Sequence, residues 1–213
     1  HAGGFVSIRP ILKQVVARVQ ELDRDNPSEV TGVPTGLVDL DEKTSGLQPS
    51  DMIIVAGRPA MGKTTFALNL AEHIAIEQRL PVAIFSMEMP GTQLATRFIS
   101  SVGRIDMQKI RSGRLTDDDW QRLTMAMGKL YDAPLFIDET PGLNPIDLRA
   151  RARRLARQCG KLGLIVIALA PACARRPQIS QPTNSPNKAA TAISTQISLE
   201  ENPNRETYLA LLT

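Results

Sequence analysis

Residues 57–64 form the segment that most restricts how this chain of 213 residues can fold. Their sequence is G-R-P-A-M-G-K-T, and they lie between a short apolar run, 52–56, and a helical pattern that continues from Lys63 to about Gln78. Glycines permit the backbone angles that turn successive N–H groups inward, and a helix beginning at Lys63 adds the positive end of its dipole. A loop of this kind between a strand and a helix binds phosphate groups, so the segment predicts a nucleotide-binding domain.

The loop and the first turn of its helix contain the residues that we predict to bind ATP and Mg²⁺. We expect the Lys63 ammonium to reach the β- and γ-phosphates, as a catalytic group, and the Thr64 hydroxyl to ligate the metal. The whole predicted binding set is Gly57, Arg58, Pro59, Ala60, Met61, Gly62, Lys63, Thr64 and Thr65.

The region from residue 31 to 167 alternates strand-like and helix-like segments. Strand candidates are residues 52–56, 81–86, 135–138 and 163–167, and helical patterns cover 63–78, 91–102, 116–131 and 144–158. Strands that alternate with helices form βαβ units. The sequence therefore predicts an α/β fold with a parallel sheet flanked by helices.

An amphipathic helix is predicted before this region. Its apolar residues recur mostly three or four positions apart: Ile8, Ile11, Leu12, Val15, Val16, Val19 and Leu22. The polar residues 23–28 include an X-Pro step and are typical of a linker. We interpret 1–6 as an expression remnant or linker, 7–24 as a linker helix, 31–167 as the core, and 168–213 as an atypical, loop-rich tail.

Glu88 follows the strand candidate 81–86 directly. Ligands of open α/β sheets bind at the carboxyl ends of the strands, where a carboxylate can orient or deprotonate an attacking water. A glutamate after a strand is more often only a surface residue, so the catalytic interpretation needs further support.

Asp138 ends the apolar run 135–138 and is followed by Glu139. An apolar strand that ends in an acidic residue is typical of a magnesium-binding strand. The more hydrophobic run 163–167 ends instead in Ala168. From the residues alone, Asp138 is the better candidate for the metal carboxylate.

Composition limits the classes of partner. The formal charge of +3 is compatible with a nucleic-acid partner, but 4% aromatic residues argue against a platform of stacked aromatic rings. Five arginines lie on the helical pattern 144–158, which is more typical of a solvated face than of a nucleic-acid groove. Two cysteines lack metal or redox spacing, and the apolar runs are too short for a bilayer. We expect a cytoplasmic protein without a membrane partner.

Several segments together resemble the C-terminal domain of the DnaB-type replicative helicases. They are residues 31–36, 44–51, 56–65, 85–89 and 149–155, within a similarity that runs from residue 8 to 167. The resemblance implies a RecA-like P-loop ATPase that forms a hexameric ring and moves along single-stranded DNA during DNA replication, at the nucleoid. It also implies that Glu88 is the catalytic carboxylate, that residues 8–22 dock on a neighbouring subunit, and that primase and a helicase loader are partners.

The resemblance stops at Ala168, where the family has a metal-binding aspartate. Residues 168–213 do not match the family's DNA-binding loops or its arginine finger, so neither is assigned. Two alternatives remain open: a RadA-like or circadian-clock-like RecA ATPase, and a nucleotide-binding or ring-assembly module that lacks catalysis.

Overall fold

The computed structural model describes residues 7–25, 30–58, 60–168 and 208–212, which divide into two units, His1–Gln48 and Pro49–Thr213. The first unit contains α1 (Ile8–Asp25) and α2 (Val38–Thr44). The second contains β1 (Met52–Ala56), α3 (Lys63–Ile76), β2 (Val82–Ser86), α4 (Gly91–Gly103), α5 (Met107–Ser112), α6 (Asp117–Tyr131), β3 (Leu135–Asp138), α7 (Pro145–Cys159), β4 (Leu164–Ala168) and β5 (Tyr208–Leu212).

The first unit contains a helix with an exposed apolar face. The 18-residue α1 forms where the apolar spacing predicts a helix, and its large side chains are 42 to 61% exposed: Ile8, Ile11, Leu12, Val15, Val16 and Val19. The turn before α2 is held by Asp41, whose carboxylate accepts hydrogen bonds from the Thr35 N–H (2.9 Å) and hydroxyl (2.8 Å). None of the described helices is long and apolar enough to cross a membrane.

The second unit is built on a parallel sheet with the strand order β1-β5-β4-β2-β3. Every residue of β2 and β4 is buried, which explains why these strands are uninterrupted apolar runs in the sequence. The α7 side chains Leu148, Ala152 and Ala156 pack with Ile165 and Ile167 in one buried cluster. Because α3 also contacts β2, β4 and β5, helices flank the sheet and the predicted α/β class is confirmed.

The strand β5, which lies between β1 and β4 in the sheet, comes from a part of the chain for which the sequence pattern predicts no element. Tyr208–Leu212 pairs in parallel with both β1 and β4, and Leu209 is fully buried. A run of five residues is too short for its periodicity to distinguish a strand from a fragment of helix. The sheet therefore has a fifth strand inside the stretch 168–213, of which residues 169–207 lie outside the described part of the chain.

Candidate nucleotide-binding site

The loop between β1 and α3 has the backbone geometry of an anion site. Gly62, the residue before α3, has φ 85°, and Ala60 has φ 63°. Left-handed residues in such a loop turn neighbouring N–H groups to one side, where they bind an anion. A left-handed alanine costs about 1–2 kcal/mol, so the surrounding loop holds Ala60 in an unfavourable conformation. Pro59 lies outside the described residues.

Lys63 lies over this loop. Its ammonium donates hydrogen bonds to the carbonyl oxygens of Gly57 (2.8 Å) and Arg58 (3.0 Å). A Cβ at Gly57 would lie 3.6 Å from the Lys63 Cδ, which is ordinary van der Waals contact, so the lysine stem packs against this residue. An ammonium has three donors, so the same group can also bind a phosphate oxygen.

Thr64 is half-buried in the first turn of α3, next to Lys63 in the chain. A hydroxyl and phosphate oxygens are the hard ligands that Mg²⁺ prefers, with water completing its shell. Among the described residues, no three His, Cys, Asp or Glu side chains form a metal-binding group. The loop geometry, the Lys63 ammonium and the Thr64 hydroxyl thus fit a nucleoside triphosphate with Mg²⁺.

Glu88 lies in a turn that is fixed on both sides. Before it, the Met87 N–H donates to the carbonyl oxygen of Ala168 (3.1 Å), which ties the turn to the end of β4. After it, the Met89 carbonyl oxygen accepts a hydrogen bond from the Ser86 hydroxyl (2.6 Å), and the Met89 N–H donates one to the oxygen of that hydroxyl (3.2 Å). The Glu88 side chain itself is exposed. The contribution of the buried Ser86 to this turn is not predicted from the sequence, because no local pattern distinguishes it from other serines.

The sheet topology places Lys63 and Glu88 at the same edge of the sheet, the one formed by the carboxyl ends of its strands. Both follow the carboxyl ends of parallel strands, and β5 and β4 lie between β1 and β2. Three strand spacings correspond to roughly 14 Å, a distance that a triphosphate and a water molecule can partly fill. Two groups predicted from separate segments therefore lie on the side of one sheet where open α/β folds bind their ligands.

Asp138 lies farther from the phosphate loop. It ends the edge strand β3, four spacings or roughly 19 Å from β1. Its carboxylate accepts hydrogen bonds from Arg151 of α7 (2.7 Å) and from the Thr140 N–H (3.0 Å). Partial burial raises the pKa of Asp138, but the hydrogen bonds from Thr140 and Arg151 outweigh it and leave the pKa below its ordinary value. This placement does not support Asp138 as the metal carboxylate that the residues alone favour.

Ala168 ends β4 on the same side of the sheet, between β5 and β2 in the strand order. It pairs with Ser86 of β2 and Leu211 of β5 and is only 7% exposed. A methyl group thus stands where the resemblance expects a metal-binding carboxylate.

The matching family model and two similar curated proteins all represent DnaB-like or replicative DNA helicases. The family model of the DnaB-like helicase C terminal domain matches residues 32–197, well past Ile167, where the sequence is expected to leave the family. The replicative DNA helicase DnaB of Geobacillus stearothermophilus is 48% identical over 167 residues, which are 78% of this chain and 36% of that protein. The replicative DNA helicase DnaC of Bacillus subtilis (strain 168) is 43% identical over 167 residues, again 78% and 36% of the two chains.

Solved structures agree with the sequence comparison. A DnaB-like replicative helicase, described with its interactions with primase, has a TM-score of 0.78 and 26% identity, and the match covers 98% of this chain and 48% of that one. A separately solved ATPase domain also has a TM-score of 0.78, at 27% identity, with coverage of 98% and 71%. This chain spans about a third of the length of the curated relatives that it matches.

Proposed function

This chain belongs to the family of the DnaB-like helicase C-terminal domain, and on that premise we propose that it is the ATP-binding motor domain of a replicative DNA helicase. The observation that most supports the proposal is the shared sheet edge: the phosphate loop with Lys63 and the turn with Glu88 follow parallel strands of one sheet. The curated relatives named above are replicative DNA helicases.

Each site residue has a distinct proposed role. The loop N–H groups and Lys63 bind the β- and γ-phosphates, and Thr64 ligates Mg²⁺. Bound magnesium neutralises charge on the phosphate oxygens and orients them. Glu88 accepts the proton of the attacking water, because its exposed carboxylate projects from a fixed turn at this edge.

Single-stranded DNA and further copies of the chain are the proposed partners. The exposed apolar face of α1 supports assembly, because a stripe of this kind is typical of a protein-binding surface. We propose a hexameric ring in which α1 docks on the neighbouring subunit, with primase and a helicase loader as additional partners. The expected place of action is the nucleoid of the cytoplasm.

Lys63→Ala tests the nucleotide site. Loss of a charge-assisted hydrogen bond of about 1.5–3 kcal/mol weakens binding of a fluorescent ATP analogue roughly 10- to 100-fold. Lys161→Ala, which removes the same charge from an exposed loop before β4, leaves the affinity unchanged. Equal affinity of the Lys63 variant and the original chain would refute the assignment.

Glu88→Gln tests the catalytic role. Glutamine keeps the shape but cannot accept the proton, so ATP binds with unchanged affinity while turnover falls about 10²–10⁴-fold. Glu77→Gln, at an exposed position after α3, is the matched control and should turn over ATP at the same rate as the original chain. If the Glu88 variant turns over ATP as fast as the control, Glu88 is not the catalytic carboxylate.

A nucleotide-binding module without catalysis is the second candidate, and Ala168 is the observation that favours it. Titration with single-stranded DNA separates the two functions. A motor accelerates ATP turnover on DNA, whereas a binding module does not.

A further inference from the structure

Helix α4 begins without a capping side chain of its own. The residue before it is Pro90, and no side-chain hydrogen bond caps the helix from that position. The first N–H groups of a helix need acceptors, and a carboxylate is the favoured partner at this positive end. Glu139 supplies one from 48 positions away: its Oε2 accepts a hydrogen bond from the Gly91 N–H (2.5 Å).

Gly91 fits this contact by lacking a side chain. A Cβ built at Gly91 would lie 3.1 Å from the Glu139 Oε2 and 3.7 Å from the Ile137 Cγ2. The first distance is shorter than ordinary van der Waals contact, so a methyl group would require the carboxylate to shift by a few tenths of an ångström. The helix start and the residue after β3 are therefore complementary in shape as well as in charge.

The turn that contains Glu88 lies between two anchors. Toward the sheet, Met87 is bonded to the end of β4 and Met89 to Ser86. Toward the helix, the first residue of α4 is bonded to Glu139. Only Pro90 separates the bonded Met89 from Gly91, so the contact with Glu139 fixes the chain directly after the turn of Glu88.

We propose that Glu139 is a positioning residue for Glu88: it fixes the start of α4 and thereby the turn that presents the catalytic carboxylate. The inference rests on the proposed function, in which Glu88 activates water. It gives a role to an acidic residue that the sequence singles out only as the neighbour of Asp138. The two acidic residues act on different helices, since Asp138 binds α7 and Glu139 binds α4.

The test compares Glu139→Ala, Glu139→Gln and Gly91→Ala with the original chain and with Glu88→Gln. Hydrolysis is measured in single-turnover reactions with radiolabelled ATP, so that slow rates are resolved, and affinity with a fluorescent ATP analogue. We expect Glu139→Ala to lower the hydrolysis rate roughly 10- to 100-fold, because a misplacement of about 1 Å in a reacting group has that effect. Gly91→Ala should lower the rate by a smaller factor, since its methyl group only shifts the Glu139 carboxylate. Affinity should stay within about twofold, since the phosphate loop is untouched.

Two variants separate positioning from general damage to the fold. Glu139→Gln retains an acceptor oxygen and should recover most of the rate. Gly91→Ala favours helix formation by its propensity, so its melting temperature should not fall even though its hydrolysis slows. Hydrogen exchange in peptides covering residues 87–94 should be faster in Glu139→Ala.

The outcomes distinguish the inference from the proposed function. If Glu88→Gln is slow while Glu139→Ala and Gly91→Ala hydrolyse ATP at the original rate, the positioning role is wrong and the proposed function stands. If Glu88→Gln is as fast as the original chain, both are wrong. Unchanged hydrogen exchange in Glu139→Ala would also overturn the positioning role.

Discussion

Ala168→Asp is the substitution with the most informative expected outcome. The residue ends the buried strand β4, is 7% exposed, and has its carbonyl oxygen bonded to the Met87 N–H (3.1 Å). The substitution places a carboxylate between the phosphate loop and the turn of Glu88 in the strand order. Its effect should therefore depend on whether a metal ion is present.

Without Mg²⁺, the new carboxylate should destabilise the chain. The neighbouring Ser86 hydroxyl is already bonded to Met89, so it offers little compensation. A buried polar group without a partner costs about 1–3 kcal/mol and a charged one costs more, so we expect the free energy of unfolding to fall by at least that amount. With Mg²⁺ and ATP, an added charged ligand should strengthen binding by about 1.5–3 kcal/mol, or roughly 10- to 100-fold.

Turnover should increase little. The original chain should bind ATP yet hydrolyse it slowly, and an aspartate supplies no positive charge to the departing phosphoryl group. Such a charge contributes about 10³–10⁵ in rate where it has been examined. An original chain that hydrolyses ATP at the pace of an intact ring motor would contradict this expectation.

Urea unfolding with and without Mg²⁺, together with ATP titrations at fixed Mg²⁺, measures these effects. Ala168→Asn is the matched control, because it has the same shape and polarity without the charge. It should lower the free energy of unfolding by about 1–3 kcal/mol, as a neutral polar group does, but should not raise the Mg²⁺-dependent affinity. Equal Mg²⁺ dependence of the two variants would refute the reasoning.

Two further predictions concern assembly and the edge strand. Deleting residues 1–26 removes the exposed stripe of α1 and should shift the chain toward monomer in sedimentation; the same oligomer with and without the segment would exclude the docking role. Asp138→Asn should lower the free energy of unfolding by at most about 1 kcal/mol, since its ion pair with Arg151 is partly exposed, and should leave Mg–ATP affinity unchanged. Because the fold lowers the pKa of Asp138, this stability difference should be present at neutral pH and disappear as the pH falls through that lowered pKa. A loss of Mg–ATP affinity in this variant would restore Asp138 as a metal ligand.

The sequence was sufficient to predict the parallel sheet and the two segments of the candidate site, the phosphate loop and the turn that contains Glu88. Buried strands such as β2 and β4 are continuous apolar runs, and the phosphate loop has a motif with few alternative structures. Glu88 could be assigned to the same edge because parallel strands align their carboxyl ends.

Strand order could not be predicted, because it depends on contacts between distant segments. Asp138 has the local pattern of a metal-binding residue, but β3 lies at the edge of the sheet and Arg151 binds the carboxylate. The contact between Glu139 and Gly91 has no local signal either, since it joins residues 48 positions apart.

The origin of β5 has a consequence for synthesis of the chain on the ribosome. β1 is paired with β5, and only through β5 does it connect to β4 and the rest of the described sheet. Until residues 208–212 emerge, the phosphate loop and the turn of Glu88 belong to strands that cannot join. Nascent chains that lack residues 208–212 expose unpaired strand edges, which can aggregate or bind chaperones. The phosphate loop and the turn of Glu88 can therefore come together in one sheet only after residues 208–212 have been synthesised.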